Sequence, residues 1–98
     1  MKLPVVISFD WDQANIDKNW EKHQVHYKEA EEVFFNRTIV TLKDKKHSVK
    51  EKRLIALGIT NQKRQLYIVF TIRNQKIRII SARSQSKKER KYYAKENN

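Results

Sequence analysis

The stretch Arg78-Ile79-Ile80-Ser81-Ala82-Arg83 is the part of the sequence that is most informative about the fold. Its β-branched residues favour a strand, and a strand would hold the two terminal arginines rigidly. Guanidinium groups match the geometry of phosphate bidentately. Arg78 and Arg83 are five residues apart, so regular alternation predicts opposite faces. They share a face only if the strand bends, bulges or ends near Ser81.

Positive charge is concentrated in the second half of the 98-residue chain. Residues 1–36 contain four basic residues (Lys or Arg) and seven acidic residues (Asp or Glu). Residues 37–62 contain seven basic and two acidic residues, and residues 63–98 contain eleven basic and two acidic residues. The net charge of +11 therefore predicts one strongly positive surface, which attracts polyanions. Nucleic acid is the first candidate ligand and an acidic protein is the second. A solvated basic surface without a ligand is the structural alternative.

Length and composition predict a single domain, residues 1–98, and exclude several classes of protein. The chain contains no cysteine, which excludes disulfides and thiolate metal sites. We find no glycine-rich phosphate loop, no Gly-x-Ser-x-Gly motif and no secretory signal. No apolar run approaches the ~20 residues of a membrane span. We therefore expect a cytoplasmic protein with no membrane contact and no cofactor.

Hydrophobic periodicity predicts an α+β fold with the order β-α-α-β-β-β-β-α. Apolar residues recur with the spacing of an α-helix from residue 13 to residue 35, and they alternate with a period of two residues from Arg37 onward. The last four strands follow one another as consecutive hairpins, which predicts an antiparallel β-meander with the helices on one face. The predicted strands are 3–9, 37–42, 53–59, 66–72 and 76–83. The predicted helices are 13–23 and 27–35, with a third starting at Ser86. Residues 43–50, which contain His47, are predicted to form a basic loop or the end of a hairpin.

Helix ends and one strand irregularity are also predicted from residue type. Asp12 is a suitable N-cap for the first helix. Ser86 and Glu89 have the spacing of a capping box at the start of the last helix. Gly58 interrupts an apolar strand and predicts a bulge there.

Apolar spacing predicts which faces of the first two helices point inward. In the first helix, Ile16, Trp20 and His23 form a narrow inward stripe. Trp11 and Trp20 are interpreted as packing residues that join this helix to the sheet. The inward residues predicted for the second helix are Tyr27, Ala30, Val33 and Phe34.

Two carboxylates and two histidines are the candidate metal ligands of the sequence. Asp10 and Asp12 are close together, but no third acidic residue has a recognisable ligand spacing. His23 and His26 are three residues apart without a Glu-x-x-His context. Capping by Asp12 and turn formation by Asp10 are the simpler roles, so we predict no metal site.

RNA cleavage remains possible without a metal, because the 2′-hydroxyl of RNA is itself a nucleophile. The protein has to align this oxygen with the phosphate, stabilise the added negative charge and transfer protons. Arginines can stabilise the charge. The residues able to carry protons are His23, Glu51, Glu89, Tyr92 and Tyr93. Packing of His23, capping by Glu89 and an ion pair between Glu51 and Arg53 are the structural alternatives.

Three parts of the sequence resemble the BrnT toxin family. The first is Phe9-Asp10-Trp11-Asp12 with Asn19, Lys22-His23, Val25, Ala30 and Phe34, the second is Glu51, Arg53 and Gly58, and the third is Arg78-Ile79-Ile80-Ser81-Ala82-Arg83 followed by Glu89-Arg90 and Tyr92. Asn15 stands about where many relatives have lysine or arginine.

The resemblance implies a type II toxin with a RelE-like ribonuclease fold that inhibits translation by cleaving RNA. It also implies a BrnA-like ribbon-helix-helix antitoxin, with operator DNA bound only through the toxin–antitoxin complex. RelE-like enzymes surround the scissile phosphate with basic sheet residues and an aromatic of the last helix. The predicted catalytic residues are Arg53, Arg78, Arg83 and Tyr92, with His23 as a proton carrier, and the predicted RNA-binding residues are Arg73, Lys76, Lys87, Lys88, Arg90 and Lys91. The alternative function is a non-catalytic nucleic-acid-binding subunit of a protein complex.

Overall fold

The computed structural model describes residues 7–44 and 51–97, in which three helices accompany a four-stranded sheet. The elements are α1 (Gln13–His23), α2 (Tyr27–Phe35), β1 (Val40–Lys43), β2 (Leu54–Ile59), β3 (Gln65–Arg73), β4 (Lys76–Ser84) and α3 (Lys87–Glu96). The strands pair in the order β1-β2-β3-β4, and every pairing is antiparallel. The predicted α+β class and antiparallel meander are confirmed. The prediction that the helices share one face is wrong, because α2 packs on one face of the sheet and α3 lies against Leu57 and Tyr67 on the other. Residues 45–50 of the predicted basic loop, which include His47, lie outside the described residues.

The first predicted strand falls largely on residues 1–6, which are also outside the described part of the chain. Phe9 makes an isolated parallel bridge with Ile77 of β4. The N–H of Asp10 donates to the carbonyl of Ile77 at 2.9 Å, and the N–H of Ile77 donates to the carbonyl of Ser8 at 2.8 Å. The segment before α1 therefore lies against the free edge of β4.

The hydrophobic core lies between α2 and the sheet face that it covers. Its buried residues are Val25, Ala30, Val33, Phe34, Leu54, Ala56, Leu66, Ile68, Phe70, Ile77, Ile79 and Ala82. Phe34 packs edge-on against Phe70, with 5.0 Å between ring centroids. The predicted inward residues Ala30, Val33 and Phe34 are confirmed, whereas Tyr27 is half-buried.

Gly58 allows α2 to approach β2 closely. It pairs in regular register with Leu66, so the bulge predicted at this position is wrong. A Cβ at Gly58 would collide with Cγ1 of Val33. Glycine is needed here because another element comes within contact distance of the strand backbone.

The irregularity in the sheet lies on β4 instead. Val69 pairs with Ser81, and the next residue of β3, Phe70, pairs with Ile79. Ile80 is therefore an extra residue of β4 without a partner on β3. Such an insertion shifts the side-chain alternation of the strand by one position.

This shift places two arginines of β4 on the same face of the sheet. Arg78 pairs with Thr71, and Arg83 pairs with Tyr67. Residues opposite each other share a face, and Thr71 and Tyr67 are four apart on a regular strand. Arg78 and Arg83 thus lie on the face opposite α2, about 13 Å apart along the strand direction.

Helix α1 lies along the free edge of β4 and turns amide side chains toward it. Asn15 Nδ2 donates to the carbonyl of Ile79, and Asn19 Oδ1 accepts from the N–H of Ala82 at 3.1 Å. Asn15 and Asn19 are only 9% and 2% exposed. An edge strand has unpaired N–H and C=O groups, and these two amides satisfy them.

The inward stripe predicted for α1 is therefore wrong. Trp20 is 50% exposed and is not a packing residue, while Ile16 and His23 are half-buried. The reason is that this helix faces a strand edge, which requires polar partners rather than apolar ones. The packing role of Trp11 is confirmed, since it packs against the core and its Nε1 donates to Glu31 at 2.9 Å.

Helix α3 begins with the predicted capping box. Ser86 Oγ accepts from the N–H of Glu89 at 3.2 Å, and Glu89 Oε1 accepts from the N–H of Ser86 at 2.8 Å. Tyr93 is buried and its hydroxyl donates to Thr38 at 2.9 Å, which makes it a structural residue. In the described ranges no helix has the length and apolarity needed to cross a membrane.

Candidate active site

The sheet face opposite α2 carries two cavities, one near each end of β4. The first lies between the N-terminal half of α1 and the sheet and has a volume of about 370 Å³. It is lined by Asp12, Ala14, Asn15, Lys18, Glu51, Arg53, Arg73, Arg78 and Ile80, and we call it the arginine cleft. Four cationic and two acidic side chains line it, so its net charge is positive and suits a phosphate group.

Arg78 is held in the arginine cleft by the start of α1. Its Nη2 donates to Asp12 Oδ2 at 2.7 Å, and its Nη1 lies 3.8 Å from Asp10 Oδ1. The other oxygen of Asp12 accepts from the N–H of Asn15 at 2.8 Å and caps α1. The hydrogen bond from Arg78 lowers the pKa of Asp12, and the same bond raises the pKa of Arg78. Both groups are therefore charged at neutral pH.

The other side chains of the arginine cleft are also held by polar contacts. Arg73 binds Glu51 bidentately through Nε and Nη2, at distances of 3.0 to 3.1 Å. Lys18 Nζ donates to the carbonyl of Ile80, the extra residue of the bulge, at 3.0 Å. Arg53 is half-buried and lines the same cleft. The cleft thus presents four cations whose positions are set by the sheet and by α1.

Lys18 is a cleft residue that the sequence analysis missed. The family resemblance implied a basic residue near position 15 of the first helix, where this chain has Asn15. Asn15 instead binds the edge of β4, and the ammonium group of Lys18, about one turn further along, reaches the cleft. Asp12 was identified only as a helix cap, because pairing with Arg78 of a distant strand leaves no local sequence signal.

The second cavity separates α3 from the sheet and has a volume of about 320 Å³. Its lining residues are Leu42, Leu57, Tyr67, Lys88, Glu89 and Tyr92, and we call it the α3 groove. Tyr92 is 38% exposed, and its hydrogen bond to Glu96 raises its pKa. An apolar groove with exposed aromatic and cationic side chains suits a planar, uncharged group such as a nucleobase.

Arg83 lies beside the α3 groove and is bound within the protein. Its Nη1 and Nη2 donate to the two carboxylate oxygens of Glu89 at 2.8 and 2.9 Å. Its guanidinium carbon lies 3.9 Å from the centre of the Tyr67 ring. The hydrogen bonds raise the pKa of Arg83 and lower the pKa of Glu89, and burial raises the pKa of Tyr67. This ion pair links β4 to the first turn of α3.

His23 lies at the opposite end of α1 from Asp12 and lines neither cavity. Its carbonyl accepts from Arg64 Nη2 at 3.2 Å. The structure therefore does not bring His23 next to Arg53 or Arg78.

The predicted RNA-binding residues are distributed over both cavities and the surface around them. Arg73 lines the arginine cleft, and Lys76 is exposed opposite it at the end of the hairpin. Lys88 lines the α3 groove. The other predicted residues of α3, Lys87, Arg90 and Lys91, are exposed and lie outside the groove lining. Arg90 also donates to the carbonyl of Gln85 at 2.9 Å, so its guanidinium has a structural partner.

The residues considered as metal ligands have other partners. Asp10 and Asp12 lie against Arg78, and His26 caps α2 by accepting from the N–H of Lys28 at 3.2 Å. Within residues 7–44 and 51–97, no cluster of three or more His, Cys, Asp or Glu side chains has an arrangement that could hold a metal ion.

Fold and cleft together define a small α+β domain with a cationic site suited to a phosphate polymer. Residues 11–89 match the model of a family described as "Ribonuclease toxin, BrnT, of type II toxin-antitoxin system". The chain therefore belongs to the BrnT family of ribonuclease toxins, as its sequence motifs predicted. The match includes all the arginines of the cleft and Arg83 but ends before Tyr92.

A solved structure has the same fold. The 1.1 Å crystal structure of the Brucella abortus ribonuclease toxin BrnT superposes with a TM-score of 0.64 and 21% sequence identity. The alignment covers 84% of this chain and 100% of that chain. No protein with a curated description matches this chain.

Proposed function

We propose that this protein is a metal-independent endoribonuclease that inhibits translation in the cytoplasm, with the arginine cleft binding the scissile phosphate. The observation that carries the proposal is the convergence of four cationic side chains in a single cleft that also contains two carboxylates. The cations are Lys18, Arg53, Arg73 and Arg78, and the carboxylates are Asp12 and Glu51. Membership of a ribonuclease toxin family supports RNA as the polymer.

Charge stabilisation is the main contribution proposed for the cleft. When the 2′-oxygen attacks phosphorus, negative charge builds up on the non-bridging oxygens. Guanidinium groups that are already fixed in place stabilise this charge without reorganisation. Arg53 and Arg78 line the same cleft, and Arg78 is held there by its place on β4 opposite Thr71, so these two arginines are the proposed phosphate ligands. Lys18 adds a point charge from α1.

Glu51 is the proposed general base of the cleft. Its carboxylate is bound by Arg73 through two parallel hydrogen bonds, which fixes its orientation. A carboxylate positioned in this way can accept the proton of the 2′-hydroxyl as the oxygen–phosphorus bond forms. The bond to the 5′-oxygen then breaks and this oxygen takes up a proton from water, so we expect a 2′,3′-cyclic phosphate and a 5′-hydroxyl as the new ends.

Arg83 and Tyr92 are proposed to bind a neighbouring nucleotide rather than the scissile phosphate. Arg83 is about 13 Å from Arg78 along the strand, and its fork faces Glu89. The α3 groove beside it has room for an unstacked base, and aromatic and guanidinium surfaces are the usual partners of such bases. His23 has no place in this proposed site.

A type II toxin has an antitoxin partner, and we propose that the partner is BrnA-like, with a ribbon-helix-helix domain. Its acidic segment would cover the cleft and compete with RNA for the arginines. Operator DNA would then be contacted by the complex through the antitoxin. The positive surface around β4 and α3 supports an acidic partner, and binding should slow as salt rises.

The competing proposal is a non-catalytic RNA-binding subunit. It draws support from the carboxylates that bind Arg73 and Arg78 in the free protein, because these could reduce the reactivity of the cleft. Incubation of the purified protein with RNA in EDTA separates the two. Cleavage should persist in EDTA and disappear in the double variant Arg53→Ala/Arg78→Ala.

A control for the loss of a positive charge outside the cleft is Arg37→Ala. Arg37 is exposed and lines a different cavity, so its removal changes the net charge but leaves the cleft intact. Cleavage that needs added metal would contradict metal independence. RNA binding without cleavage in any buffer would favour the binding subunit.

A further inference from the structure

We propose that Asp12 is a positioning residue for RNA cleavage, which fixes the guanidinium of Arg78 in the arginine cleft while it caps α1. This inference rests on the proposed function, because it assumes that Arg78 binds the scissile phosphate. It assigns a second role to a residue whose local sequence context indicates only a helix cap.

The two carboxylate oxygens of Asp12 have different partners. Oδ1 accepts from the N–H of Asn15 at 2.8 Å, and Oδ2 accepts from Arg78 Nη2 at 2.7 Å. One side chain therefore joins the first turn of α1 to a side chain of β4. The distance to Arg78 is that of a strong, charge-assisted hydrogen bond.

The cap itself is anchored to the sheet. The side chain of Asn15, which follows the cap, donates to the carbonyl of Ile79, and Asn19 one turn later binds the N–H of Ala82. Both asparagines are buried. Because α1 is attached to β4 at these two points, Asp12 has a defined position relative to Arg78 although its side chain is exposed.

Binding to Asp12 leaves Arg78 able to bind a phosphate. A guanidinium has five N–H donors, and Asp12 uses one of them. A second makes a long contact of 3.4 Å to the carbonyl of Asp10. The Nη1 that makes this contact also lies 3.8 Å from Asp10 Oδ1. The guanidinium has further donors beyond these, and both Asp12 and Arg78 line the cleft. Asp12 thus orients the guanidinium of Arg78 without using all of its donors.

The variant that isolates this role is Asp12→Asn. Asparagine is about as good an N-cap as aspartate, so the helix start should be retained. The amide removes the negative charge that holds Arg78. We expect a melting temperature close to that of the wild type, a largely unchanged KM and a kcat lower by about 10-fold to 100-fold, since small misplacements of catalytic groups have effects of this size.

The matched control is Asp17→Asn. Asp17 is an exposed carboxylate of the same helix, and it accepts a hydrogen bond from Gln13. This substitution removes the same charge from the same helix without touching Arg78. Its kcat should equal that of the wild type. This result would exclude the loss of one negative charge from α1 as the general cause of the effect of Asp12→Asn.

Arg78→Ala completes the test. If Asp12 acts through Arg78, the double variant Asp12→Asn/Arg78→Ala should be no slower than Arg78→Ala alone. Equal kcat values for Asp12→Asn and Asp17→Asn would overturn the inference, and so would faster cleavage or tighter RNA binding by Asp12→Asn, because the carboxylate would then be a competitor of the phosphate. A wild-type protein without ribonuclease activity would instead refute the proposed function on which the inference rests.

Discussion

Arg78 and Arg83 lie on the same face of the sheet although five residues separate them on one strand, because Ile80 is an extra residue in β4. Their surroundings nevertheless differ. Arg78 binds the start of α1 through Asp12, whereas Arg83 binds the start of α3 through Glu89. One bulge therefore gives a single sheet face two arginines with separate anchors.

Substitution of Arg78 should affect turnover more than RNA affinity. The charge on the phosphate is greater in the transition state than in the ground state, so the lost donor matters most there. We expect Arg78→Ala to lower kcat by about 10²- to 10³-fold. Arg78→Lys should recover only part of this, since a point charge cannot reproduce the fork. Single-turnover cleavage of a short RNA measures the effect, and full activity of Arg78→Lys would contradict the bidentate role.

The Arg83–Glu89 pair should make stability dependent on acid pH. Arg83 lowers the pKa of Glu89 in the folded protein. The ion pair therefore contributes fully to folding stability above the pKa that Glu89 has in the unfolded chain. This contribution is lost as the pH falls through the lower pKa of Glu89 in the folded protein. Glu89→Gln keeps the capping box but removes the charge. Its melting temperature should be below that of the wild type at neutral pH, and the two should converge as the pH falls below about 4. A constant difference at all pH values would exclude the ion pair as the cause.

Gly58→Ala should destabilise the fold without affecting the cleft directly. The new methyl group would collide with Val33 of α2, and overpacking of this kind costs about 1–3 kcal/mol. Urea denaturation of Gly58→Ala, Val33→Ala and the double variant gives the coupling between the two positions. The double variant should be more stable than the sum of the single effects predicts, and simple additivity would contradict the contact.

Two adjacent residues of α1 should differ sharply in their contribution to stability. Asn19→Ala leaves the buried N–H of Ala82 without its partner, at a cost of about 1–3 kcal/mol. Trp20→Ala removes a larger side chain, but one that is 50% exposed, so its effect should stay near 0.5 kcal/mol. Chemical denaturation of both variants tests this order, and the reverse order would show that Trp20 packs in the folded protein.

RNA binding should depend steeply on salt. Each phosphate neutralised on single-stranded RNA lowers log K by about 0.7 per unit of log salt concentration. Arg53→Ala/Arg78→Ala should reduce this slope, whereas Arg37→Ala should leave it close to that of the wild type. Fluorescence anisotropy at several salt concentrations gives the slopes. Affinity that does not change with salt would contradict phosphate binding by the cleft.

Local chemistry made much of the fold predictable. Helices α1 and α2 have the predicted bounds, and Asp12, Ser86 and Glu89 make the predicted caps. These features depend on residues within one or two turns of each other. The meander was predictable for the same reason, since short polar turns between period-two segments leave few other topologies.

Predictions that depended on a partner element failed where that partner was distant in sequence. Trp20 was expected to point inward because apolar residues usually do, but α1 faces a strand edge that needs Asn15 and Asn19. Gly58 was expected to form a β-bulge, but it instead leaves space for the side chain of Val33 of α2. In both cases the deciding neighbour lies in a different secondary-structure element.

The sequence by itself determined the fold class, the positive half of the chain, the family and the identity of the arginines. The tertiary structure alone decided which of these arginines meet. Side-chain alternation along β4 depends on one unpaired residue, Ile80, and strand register is set by pairing with β3 rather than by β4 itself. The carboxylates bound to Arg73, Arg78 and Arg83 come from three other parts of the chain, so their pairing required the folded protein.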